Sequence, residues 1–106
     1  MEIKVDHRSI RVEGILQADH DHRGMFNEPE GTIEVATDQP PAEQAETLIH
    51  ELLHAIWSSR HMKARLTEES AVTQLASGLA TVLRDNPLLP QLLLGALVNG
   101  EDLPLG

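Results

Sequence analysis

The chain of 106 residues contains no cysteine and no tyrosine, and only one phenylalanine and one tryptophan. Without cysteine there is no disulfide framework, no thiolate ligand and no thiol nucleophile, so any metal site must be built from histidine and carboxylates. With Phe26 and Trp57 as its only aromatics, the core must come from Leu, Ile, Val and Ala, which favours helices over a β-sandwich. Basic residues are scarce as well: eight Lys and Arg stand against seventeen Asp and Glu, a formal charge of −9. Such a surface repels phosphate backbones and anionic bilayers, which argues against nucleic acid and membrane partners. No run approaches the ~18 apolar residues of a membrane span, and Met1-Glu2-Ile3-Lys4 is no signal peptide, so a cytoplasmic location is expected.

What is present is an ordinary globular mixture, 41% hydrophobic and 24% charged, of a length suited to one domain over residues 1–106. Six histidines among so few rings direct attention to metal chemistry.

Residues 1–37 read as strands and loops. Ile3-Lys4-Val5 and Ser9-Ile10-Arg11-Val12-Glu13 alternate, residues 17–30 are dense in turn formers, and Gly31-Thr32-Ile33-Glu34-Val35-Ala36 alternates again. A helix is expected over 39–59, capped by Asp38 with proline in its first turn, its apolar face carrying Ala45, Leu48, Ile49, Leu52, Leu53 and Ile56. A second helix is expected over 67–86, capped by Thr67, with Glu68 and Glu69 in its first turn. Val72, Leu75, Ala76, Leu79, Val82 and Leu83 mark its apolar face. Residues 88–106 hold an apolar helix, Leu88 to Val98, that either packs on the domain or covers a partner. The fold class is α+β: a small, mostly antiparallel N-terminal sheet, two long helices and a short C-terminal one.

The first helix contains His50-Glu51-Leu52-Leu53-His54, an HExxH motif. Four residues turn a helix by about 400°, so both imidazoles leave one side and can converge on one ion. Glu51 lies about 100° around the helix, placed to hold a water at the metal rather than to ligate it. The apolar stripe centres away from the histidines, so packing does not require them. A zinc hydrolase also needs a third protein ligand. The long metzincin pattern would need Gly at position 57 and His at position 60, where Trp57 and Arg60 stand, and the next aspartate is Asp85. A glutamate opening the second helix remains, Glu68 or Glu69, although acids in a first turn also favour the helix dipole without any metal.

These residues, together with Leu48-Ile49 and Ala55-Ile56-Trp57 around the motif and the run from Glu68 through Leu79 to Pro87, resemble small phage-encoded zinc metallopeptidases of gluzincin type. Those are in turn similar to the metallopeptidase domain of mobile-element anti-repressor proteases. The resemblance spans residues 31–87 and implies a single Zn2+ held by His50, His54 and Glu69, with Glu68 as fallback. It implies Glu51 as the catalytic base and a protein or peptide as substrate. It also implies a sheet before the HExxH helix whose edge strand, 31–36 here, lines the cleft. Two other readings remain: a structural zinc protein without turnover, and a helical interaction module assembling through residues 88–98. Asp19-His20-Asp21-His22 reads as a solvated loop, with a second metal site as its alternative.

Overall fold

The computed structural model describes residues 1–105. The order is β1 (Glu2–Val5), β2 (Arg8–Ile15), α1 (Gln17–His20), β3 (Gly24–Asn27), β4 (Thr32–Ala36), α2 (Pro41–Ser59), α3 (Glu68–Asp85) and α4 (Leu89–Asn99). The fold is α+β, with the sheet order β1-β2-β4-β3. β1 pairs antiparallel with β2, and β3 antiparallel with β4, while β2 and β4 run parallel, so the sheet is mixed. Ile3, Val5, Ile10, Val12, Ile33 and Val35, at alternate positions of β1, β2 and β4, are buried in one core with Leu48, Leu52, Ala55 and Ile56 of α2. α2 lies along β3 and β4, α3 packs against β1, and α4 packs on α2.

Several expectations change. Residues 17–30 are not one loop: they hold a single helical turn and strand β3. A four-residue strand between turn formers has too little alternation to be seen in sequence. β3 takes the edge, which puts residues 32–36 inside the sheet rather than at its margin. Asp38 does not cap α2, which starts after Pro40. Its carboxylate instead accepts from the Gln17 and Ala18 amides at the start of α1, and these bonds, Gln17 first, hold its pKa below the ordinary value.

Thr67 caps α3, its hydroxyl accepting from the Ser70 amide at 3.2 Å. The face of α3 differs from expectation. Gly78 and Val82 are buried, whereas Val72, Leu79 and Leu83 are exposed. Gly78 governs this contact: a Cβ there would stand 2.3 Å from Ile56 Cγ2, so α3 meets α2 backbone first. In α2 the buried stripe is Ala45, Leu48, Leu52, Ala55 and Ile56, leaving Ile49 and Leu53 exposed.

Two side-chain amides tie down the ends. Buried Gln44 donates to Gln39 C=O and to Asp102 Oδ1, both at 3.0 Å, and accepts from the Leu103 amide at 3.2 Å, which fixes the C-terminal segment on α2. Asn86, at the end of α3, accepts from the Lys4 amide at 2.9 Å and donates to Lys4 C=O at 2.8 Å. One face of α4 is buried through Leu89, Gly95 and Ala96, while Leu88, Leu94, Leu97 and Val98 remain exposed.

Candidate functional site

α2 brings the two histidines together as the one-turn spacing requires. Their Nε2 atoms stand 3.2 Å apart, and their ring centroids 4.9 Å. Two nitrogens each about 2.0–2.1 Å from one tetrahedral zinc ion are separated by about 3.3–3.4 Å, so this pair fits a shared ion. The imidazoles sit at the surface, reachable from solvent; the His50 side chain is 68% exposed.

Glu51 differs from both. Its residue is 8% exposed, and Oε2 lies 4.0 Å from His50 Nε2, outside ligand geometry for the same ion but beside it. It is buried because β3 runs alongside α2 at this point. Gly24 makes the close approach possible: a Cβ there would stand 2.4 Å from Thr47 Cγ2 and 3.3 Å from Glu51 Cγ. Arg23, Gly24, Glu43, Glu46 and Thr47 join His50 and Glu51 around a hollow of about 260 Å³. Arg23 makes no ion pair among the described residues. On the other flank Leu53, His54, Trp57 and Leu75 of α3 enclose an apolar hollow with His50, of about 400 Å³.

Glu69 and Glu68 are exposed in the first turn of α3 and join neither hollow. Among the described residues no three His, Asp or Glu side chains are gathered as a metal-binding group. α3 reaches the histidine side of α2 through Leu75, and Glu69 lies six residues earlier, about 9 Å along the helix axis. Hydrogen bonds of residues 63–74 are internal to that segment and α3: Leu66 to Lys63, Ser70 and Ala71 to Thr67. The structure thus assembles the two-histidine half of the donor set with its neighbouring carboxylate, and leaves the glutamates apart from it.

The other histidines are engaged elsewhere. His22 Nε2 is 3.0 Å from Glu34 Oε1, and His20 Nδ1 is 3.0 Å from Leu16 C=O. Neither residue lines the hollow beside Glu51. His61 takes a left-handed backbone just past α2, its amide donating to Ser58 C=O.

Sequence reasoning missed Arg23 and Gly24 because it placed them in a loop. One signal was present: a glycine beside Met25-Phe26 marks a place where another element approaches the backbone closely.

β3 contributes more than its side chains. The Ala36 amide donates to Arg23 C=O at 2.8 Å and the Gly31 amide to Asn27 C=O at 2.9 Å, so Arg23 and Asn27 point their carbonyls toward the β4 side. By antiparallel alternation Gly24 and Phe26 direct their N–H and C=O away from β4, to the open edge. Comparison with protein-family models, curated proteins and solved structures finds no match for this chain.

Proposed function

We propose that the chain is a zinc-dependent metallopeptidase that hydrolyses a peptide bond in a protein or peptide substrate. The observation that carries this reading is the 3.2 Å approach of His50 and His54 Nε2 beside the buried carboxylate of Glu51. His50 and His54 would hold the zinc; Glu69 is the third ligand that the resemblance implies, and in this structure it stands apart from the pair. When bound, zinc supplies Lewis acidity to a water and to the scissile carbonyl.

Glu51 takes a proton from the attacking water as the new C–O bond forms, and delivers it to the amine nitrogen as the C–N bond breaks. Its burial at the β3 seam keeps competing water away from the carboxylate. The open edge of β3 supplies main-chain hydrogen bonds for an extended peptide. Arg23, unpaired at the hollow, is the cation available to the oxyanion in a chain without tyrosine. The surplus of acidic residues favours basic or neutral segments as substrates.

Exposed Leu94, Leu97 and Val98 favour a second reading, a helical interaction module using α4. Metal analysis and turnover separate the two. Protein purified without chelator should hold about one zinc per chain, lost in His50→Ala, and Glu51→Gln should keep the zinc and lose all cleavage of unstructured peptides. Absence of zinc from both the wild type and His50→Ala, or equal cleavage by Glu51→Gln, rejects the peptidase reading.

A further inference from the structure

A second hollow, of about 440 Å³, lies between the end of α2 and the β1–β2 hairpin and reaches β3 at Phe26. Val5, Ile10, Phe26 and Ala55 give it an apolar floor, and Ser58 and the Asp6–Arg60 pair stand at its margin. Its volume is within the range of about 300–1,000 Å³ typical of ligand clefts. The catalytic hollow touches β3 at Gly24, and this one touches it at Phe26.

Two residues of extended chain advance about 6.8 Å, and residues directly opposite one another in a ladder project to the same face. A peptide paired antiparallel with the open edge would therefore present one side chain opposite Gly24, toward Glu51. The side chain two residues earlier, opposite Phe26, would enter the second hollow. Continuing the other way, the peptide passes Arg23, Glu43 and Glu46. With Glu51, three carboxylates face one guanidinium in that hollow, so its charge complement is a cation.

Building on the peptidase reading, we infer that the hollow under Phe26 is a side-chain subsite selecting a bulky apolar residue on the amino-terminal side of the scissile bond. Glu43 and Glu46 select a basic residue on its carboxyl side. The preferred substrate is an extended segment with Leu or a similar residue four positions before Lys or Arg. This follows from register: the residue opposite Phe26 and the one opposite His22, on the same face just past Arg23, are separated by two strand repeats. Neither hollow alone carries that spacing. The shared β3 edge does.

The test uses the full chain, 15N-labelled and carrying Glu51→Gln to prevent turnover, titrated with capped decapeptides of Gly, Ser and Thr. One peptide has Leu at its fourth position and Lys at its eighth, and two others replace either residue by Ser. The Leu–Lys peptide is expected to bind at least tenfold more tightly than the peptide lacking Leu. The Gly24 and Phe26 amides should gain protection from exchange while Met25 stays unchanged. Ser58→Trp, which fills the hollow from its margin, should reduce binding to the level of the peptide lacking Leu. If Ser58→Trp does not fold, Ser58→Leu serves the same purpose. A double Glu43→Gln, Glu46→Gln variant should lose the preference for Lys. Equal binding of all three peptides, or protection at β1 instead of β3, overturns the inference. If the preferences hold but zinc-loaded wild type leaves the same peptide uncut, the peptidase reading falls and the subsite stands; cleavage indifferent to Leu does the reverse.

Discussion

Gly24 and Glu51 face each other across the seam between β3 and α2, closely enough that a Cβ on the glycine would lie 3.3 Å from the glutamate Cγ. The tighter obstacle is Thr47 Cγ2, at 2.4 Å from the same point. Gly24→Ala should therefore push the strand off the helix and cost about 1–3 kcal/mol, the usual range for overpacking, in urea denaturation. Thr47→Ser removes the offending methyl and should recover part of the loss. Hydrolysis by Gly24→Ala should fall while zinc content holds, since both histidines lie outside the contact.

Arg23→Ala should lower kcat about 100-fold with little change in KM, the pattern of a group that acts on the oxyanion. Arg23→Lys should retain part of the activity, as it keeps the charge without the forked donors. Steady-state kinetics at fixed zinc occupancy check both, and a change confined to KM would assign Arg23 to substrate binding alone.

Zinc affinity should separate the two glutamates of α3. Loss of groups that merely orient a ligand costs about 10–100-fold, so Glu69→Gln should cost at least that much and Glu68→Gln far less. Competition with a chromogenic chelator measures both. The reverse order would move the ligand to Glu68.

Acid should loosen the anchor at the end of α2. A hydrogen bond from Ser59, followed by the bond from and charge of Arg60, holds the Asp6 carboxyl below its ordinary 3.8 despite partial burial. A depressed folded-state pKa gives stability that is present above the unfolded value and lost as pH falls below about 4 through the folded one. Asp6→Asn should cost about 1 kcal/mol at pH 7, and its deficit should shrink toward pH 3 in thermal melts. Asn also tolerates the left-handed backbone, φ 56°, that Asp6 adopts.

The parts of the fold legible in the sequence are those with long periodicity. Both long helices and the Thr67 cap follow from spacing and capping chemistry, and the HExxH pair converges because helix geometry leaves it no alternative. What stayed hidden depends on contacts between distant segments. Gly24-Met25-Phe26-Asn27 becomes a strand only because β4 is there to pair with it, and Asp38 turns from α2 to cap a turn 21 residues upstream. The exposed faces of Val72, Leu79 and Ile49 could not be told from buried ones by period alone, because Gly78 and Ile56 set how the helices meet. Arg23 and the hollow beneath Phe26 were invisible for the same reason: their neighbours come from α2 and the β1–β2 hairpin.

The Asn86 amide, bonded to both main-chain groups of Lys4, occupies on β1 the position of a residue in a neighbouring strand. The β1 margin is thus blocked at Lys4 by the protein itself, and the other, β3, stays open. A sheet with a single open margin can accept one visiting strand, yet copies of it cannot line up margin to margin beyond a pair, because each would need two. The molecule can therefore keep an adhesive edge for a guest chain without being a building block for a fibre.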